Sequence, residues 1–94
     1  MIPEQAIPRH NERVAARVID GKAVVVVIDE KQLHTLNQVG TRVWELCDGR
    51  SVGAIAEALV EEFEVEREVA LSDVRSFVET LRGLGALEVP EVAS

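Results

Sequence analysis

The apolar residues of this 94-residue chain divide it at Asn37: upstream they come in short β-branched runs, downstream they recur at helical spacing. The first dozen residues hold all but one of the prolines and show no clear period, so residues 1–12 read as a tail or loop lying on the domain. Val14 to Ile19 is rich in β-branched residues, and Asp20-Gly21 follows it. Asp-Gly between two apolar runs is a hairpin signal, because both central residues of a type I′ turn need positive φ. The return strand runs from Lys22 to Ile28. Its unbroken Ala23–Ile28 stretch predicts a central strand with both faces at least partly covered. Asp29-Glu30-Lys31 reads as a second turn and Gln32–Leu36 as a short third strand. Alternation puts His34 and Leu36 on one face and Leu33 and Thr35 on the other, with Leu36 toward the core.

Asn37 suits an N-cap. Val39, Val43, Leu46 and Cys47 then fall at i, i+4, i+7 and i+8, and Asp48-Gly49 closes this first helix. Ser51 caps a second, with Val52, Ile55, Ala56, Leu59, Val60 and Phe63 as its apolar stripe. Glu64-Val65-Glu66 links it to a third helix from about Arg67 to Leu84, which turns Ala70, Val74, Phe77, Val78, Leu81 and Leu84 inward and stops at Gly85. Ala86–Val89 has the composition of a brief wing strand, and residues 90–94 read as a tail. Three strands followed by three helices make an α+β fold: a three-stranded antiparallel sheet, then three helices, winged helix-turn-helix-like in its last part. The length suits a single domain spanning 1–94.

Composition narrows the function. An apolar fraction of 47% supports a packed core with only Trp44, Phe63 and Phe77 as aromatics. Ten basic residues against seventeen acidic leave a net charge of −7, which argues against nucleic acid, whose binding draws on Lys and Arg at the phosphates. The third helix agrees: Arg67, Arg75 and Arg82 are offset by Glu68, Asp73 and Glu79, a poor surface for reading base edges. Cys47 is the single cysteine, the start lacks the pattern of a secretory signal, and the longest apolar run is far short of the roughly 20 residues of a membrane span. A cytoplasmic protein with no membrane partner is expected.

Candidate chemistry is sparse. His10 and His34 have no second histidine at metal-ligand spacing. Cys47 lies on an apolar stripe beside acidic Glu45 and Asp48, which would raise its pKa rather than activate it. Gly49 and Gly53 suit helix termination and close packing rather than a phosphate cradle. Glu57, Glu61, Glu62, Glu64 and Glu66 read as a solvated face. No catalytic residue, cofactor or metal is expected.

Between Leu36 and Leu87 a series of short elements stands in a fixed order. Leu36-Asn37 is followed by Gly40, Trp44-Glu45-Leu46 and Asp48-Gly49. Ile55-Ala56 with Leu59 comes next, then Glu62-Phe63-Glu64-Val65. Asp73-Val74 with Phe77-Val78 and Leu81 leads to Gly85-Ala86-Leu87. In order and spacing this stretch resembles the PqqD-like family of recognition elements for ribosomally made precursor peptides. Gln38 and Arg67 depart from it, standing where proline is frequent. The resemblance implies a non-catalytic adaptor that binds the leader segment of a precursor peptide and presents it to a modifying enzyme, often a radical-SAM enzyme. It also implies that the leader adds as a strand beside the third strand and packs against the third helix.

An exposed third strand is physically suited to that task, since a sheet edge offers unpaired backbone groups. The expected peptide-binding residues are Gln32, Leu33, His34, Thr35 and Leu36 on the strand, with Val74, Arg75, Val78 and Arg82 on the helix flank. Core packing for the two valines and solvated charge for the two arginines are the simpler alternatives. A structural or homodimerising module without peptide binding is the competing function, motivated by the two-faced apolar strand Ala23–Ile28. A winged-helix DNA-binding protein ranks behind it.

Overall fold

The computed structural model describes residues 2–90, so Met1 and residues 91–94, with most of the expected C-terminal tail, lie outside it. In chain order the strands are β1 (Arg9–His10), β2 (Val14–Ile19), β3 (Lys22–Val27) and β4 (Gln32–Thr35). The helices α1 (Gln38–Leu46), α2 (Val52–Phe63) and α3 (Arg67–Gly83) follow, and then β5 (Leu87–Glu88). The main sheet is antiparallel in the order β2-β3-β4. The α+β reading and its three strands and three helices stand, and the expected third strand is β4.

Local chemistry explains the turns. Asp20 and Gly21 both take positive φ, 54° and 79°, which closes the β2–β3 hairpin tightly. The sheet departs slightly from expectation after Val27: Ile28–Glu30 forms one turn of 3-10 helix, and Lys31 takes a left-handed conformation to reverse the chain. The Asn37 side chain accepts from the Gly40 amide at the start of α1, and Ser51 does the same for Ala54 in α2. Each satisfies an amide that the helix itself leaves unpaired.

On one face of the sheet α1 packs against β3, and α2 and α3, packed on each other, complete a single apolar core. Ala23, Val25 and Val27 of β3 are buried against Val43, Leu46, Val52, Ile55, Leu59, Val74, Val78 and Leu81. Burial of each large side chain here contributes ~1.5–3 kcal/mol. On the other face Val24 and Val26 are only half-buried, while in β2 every side chain from Ala15 to Ile19 is exposed. The central strand is thus covered fully on one side alone.

The N-terminal stretch is more ordered than its composition suggests. Ile2, Ala6 and Pro8 are buried, and Arg9–His10 pairs with Leu87–Glu88 as a second, two-stranded sheet. The strand after α3 therefore pairs with the N-terminus instead of standing out as a wing. The Val52 and Gly53 amides, at the start of α2, donate to the carbonyls of Ala6 and Glu4. The segment thus supplies acceptors that a helix N-terminus otherwise takes from water.

Candidate functional site

The ladder of the main sheet fixes which backbone groups remain free. The Ile28 amide donates to Arg13, and the Leu36 amide donates to Ala23. Hydrogen-bonded and non-hydrogen-bonded pairs alternate in an antiparallel sheet. With the register Val25↔His34 and Val26↔Leu33, Gln32, His34 and Leu36 therefore turn their backbone groups toward β3. Leu33 and Thr35 turn theirs away, to the open edge. Their N–H and C=O groups are what β4 offers to a further strand.

The C-terminal half of α3 runs beside this edge. The Phe77 ring lies against Gly40, just beyond the end of β4, so closely that a Cβ on Gly40 would overlap it. Gly85, past the end of the helix, lies close enough to Val27, whose partner Gln32 begins β4, that a Cβ on it would be in van der Waals contact. Phe77 and Leu84 are half-buried against the core, two turns apart on one flank of the helix. Leu33 is 64% exposed, the most exposed large apolar side chain among the described residues. The open edge and the apolar flank of α3 bound a shallow groove on the inner side of the sheet, while Leu33, opposite Val26, offers an apolar side chain on the outer face.

The expected site residues fall into different surroundings. Gln32, Leu33 and Thr35 are exposed on β4. Leu36 is buried and belongs to the core, as its alternation predicts. His34 lies on the inner face, and its Nε2 is buried without a hydrogen-bond partner among the described residues. Such an atom costs ~1–3 kcal/mol in lost hydration. On α3, Val74 and Val78 are fully buried and make the floor rather than the surface. Arg75 points to the N-terminal segment, its Nε donating to the Ile2 carbonyl at 2.8 Å. Arg82 is exposed near the end of the helix. Phe77 and Leu84, read from sequence as inward-facing, are the half-buried residues that border the groove. Their intermediate exposure is invisible to periodicity, which separates faces but not the flank of a face.

Elsewhere the chemistry is quiet. Cys47 is buried, its Sγ–H donating to the Val43 carbonyl at 3.1 Å; burial, helped by the Asp48 charge, pushes its thiol up to about 12. Among the described residues no group of three or more His, Cys, Asp and Glu side chains could hold a metal ion, and no helix is long and apolar enough to cross a membrane. The surface ion pairs tie elements together: Arg42 grips Glu62 through Nε and Nη2 at 2.7 and 2.9 Å, joining α1 to α2.

The family model of coenzyme PQQ synthesis protein D (PqqD) matches residues 23–87. Three solved structures share the fold. TbiB1 in complex with the TbiA(beta) leader peptide superposes with a TM-score of 0.80 at 24% identity, over 92% of this chain and 99% of that one. Lasso peptide synthetase B1 complexed with the leader peptide gives 0.80 at 24% identity, over 87% and 98%. The PqqD truncation of Methylobacterium extorquens PqqCD, described as a stand-alone recognition element for ribosomally synthesized and post-translationally modified peptides, gives 0.78 at 22% identity, over 94% and 95%. No protein with a curated description matches the chain.

Proposed function

Because this chain belongs to the PqqD family, we propose that it is a non-catalytic adaptor that binds the leader segment of a ribosomally made precursor peptide and presents it to a modifying enzyme. The observation that carries this reading is the open β4 edge, with the backbone groups of Leu33 and Thr35 turned outward beside the Phe77–Leu84 flank. Two of the fold relatives are complexes with leader peptides, which supports the same use here. The enzyme served is of the radical-SAM class on this proposal, and the setting is the cytoplasm.

The physical case rests on two contributions. About four backbone hydrogen bonds at a net ~0.5–1.5 kcal/mol each do not offset an association cost of at least ~4 kcal/mol plus ~2–5 for ordering a flexible leader. Apolar guest side chains must supply the remainder, at ~1.5–3 kcal/mol for each one buried. Leu33 on the strand and Phe77 and Leu84 on the helix are the surfaces suited to receive them. Gln32, His34 and Leu36 then hold β4 in register with β3. Val74 and Val78 support the groove from below and Arg82 acts at its margin, whereas Arg75 is held to the N-terminal segment and takes no part in it.

The test is a titration of isotopically labelled protein with synthetic leader segments from the host's precursor peptides, read amide by amide. Shifts concentrated in Gln32–Leu36 and the second half of α3 are expected. Saturating peptide that leaves both elements unmoved would refute the mode of binding. The competing reading, self-association, has its own structural basis at the opposite edge of the sheet.

A further inference from the structure

The strand β2 is apolar without serving the core. Of its six residues only Val14 is even half-buried; Ala15, Ala16, Val18 and Ile19 are exposed, with Val18 at 50% and Ile19 at 52%. It is also a sheet edge, since among the described residues β3 is its one neighbour. The Ile28 amide donates to Arg13. The alternation that starts from this bond leaves the backbone groups of Val14, Ala16 and Val18 pointing away from β3. Sheet edges are commonly blunted by proline, a bulge or an inward-pointing charge. The register of β2 against β3 is continuous from Val14 to Ile19, and that stretch contains neither proline nor an inward charge.

We propose that β2 is a self-association edge, pairing antiparallel with β2 of a second copy about a twofold axis at Ala16. In this register Val14 faces Val18 of the other copy, Ala16 faces Ala16, and all the outward backbone groups of these three residues are paired. The strip suits a second copy because it is complementary to itself, as an isologous contact requires. On the outer face Arg17 stands opposite Ala15. Sliding the pair by two residues either sets Arg17 directly against Arg17 or shortens the overlap, so charge selects the register. The chain's net charge of −7 does not oppose the contact locally: from Val14 to Val27 the charged residues are Arg17, Asp20 and Lys22. The product is a continuous six-stranded sheet with a β4 edge free at each end. This inference does not depend on what β4 binds.

Two Arg17 guanidinium groups remain diagonal neighbours across the axis, and salt screens their repulsion. The dimer therefore tightens as ionic strength rises, whereas a contact built on ion pairs would loosen.

Sedimentation of the full chain from micromolar to millimolar concentration tests the proposal. The expected result is a monomer–dimer equilibrium that strengthens with salt. Val18→Lys and Ala16→Pro should weaken it about tenfold or more. Ala16→Pro removes an outward N–H and no bond to β3. Should it fail to fold, Val18→Lys and the concentration-dependent exchange protection of the Val14, Ala16 and Val18 amides still decide the question. A monomer at every concentration overturns the proposal, as does a dimer whose β2 amides exchange no more slowly than those of the monomer.

Discussion

The imidazole of His10 lies flat on the indole of Trp44, with ring centroids 3.8 Å apart and planes 6° from parallel, while its Nε2 donates to the Trp44 carbonyl at 2.8 Å. One side chain thus does two things. It covers an aromatic face, and it adds a second donor to a carbonyl in the last turn of α1 that otherwise accepts only the Cys47 amide of the C-cap, at 3.2 Å. The contact fastens the N-terminal segment to the helix that follows β4, so residues before the main sheet help to hold the helical layer in place.

His10→Ala should therefore loosen the segment. Trp44 is the only tryptophan, which makes its emission a direct reporter. A red shift and greater quenching by added iodide are expected, with a loss of stability of about 1–2 kcal/mol for one stacked contact and one hydrogen bond. Unchanged emission would mean that the segment is held without His10.

How much of this was legible beforehand differs by region. The β2–β3 hairpin follows from Asp20-Gly21, and the helix starts from Asn37 and Ser51, because each is a local rule in which a side chain or a missing Cβ decides the backbone. The place of Leu36 in the core follows from strand alternation alone. The order of residues 2–10 was not legible, because its partners are Val52, Gly53, Trp44 and Leu87, all distant in sequence. The flank of α3 beside β4 had the same difficulty. Periodicity puts Phe77 with the inner residues, but its position against Gly40 depends on how α1 and α3 cross, which no single segment encodes.

That crossing gives a second prediction. Gly40→Ala should gain up to ~1 kcal/mol of helix propensity yet lose ~1–3 kcal/mol by forcing the Phe77 ring aside. A net destabilisation is expected, with weaker peptide binding because the displaced ring borders the groove. Phe77→Leu in the same chain should relieve the clash, so the two changes are non-additive in a double-mutant cycle. Additive losses would show that the ring and the glycine do not constrain each other.

The pair Glu4–Arg67 makes docking of the N-terminal segment pH-dependent. The Arg67 hydrogen bond first, and its charge second, hold the Glu4 carboxyl below its ordinary value of 4.5. A carboxylate favoured by the fold contributes stability that is fully present above that ordinary value and is lost as pH falls through the lowered one. Denaturant unfolding of the parent and of Glu4→Gln should differ at neutral pH and converge as pH falls from 4.5 through the lowered value. A constant gap down to pH 3 would contradict the assignment.

Cys47 should behave as a buried thiol. With its value raised from 9.0 to about 12, chiefly by burial, the folded protein holds almost no thiolate at pH 8. Alkylation at that pH should proceed only through unfolding, at a rate independent of reagent once reagent is in excess. The sign of the linkage is also fixed: the contribution is intact below pH 9 and declines above it, by at most ~1.4 kcal/mol per pH unit. Rapid labelling of native protein would show the thiol to be accessible.

Two proline substitutions one residue apart separate the open edge from the ladder beneath it. Thr35 turns its N–H outward, so Thr35→Pro leaves the bonds to β3 intact, and proline is tolerated on an edge in that orientation. His34 turns its N–H inward to Val25, so His34→Pro breaks the sheet. Thr35→Pro should keep the thermal midpoint within a few degrees while weakening leader binding about tenfold, the ~1.4 kcal/mol expected from one lost hydrogen bond and the ring's bulk at the edge. His34→Pro should lower the midpoint sharply before binding can be measured. If Thr35→Pro binds leader as the parent does, the guest strand is not on β4, and the alternation of the ladder has been assigned to the wrong site rather than to the wrong residues.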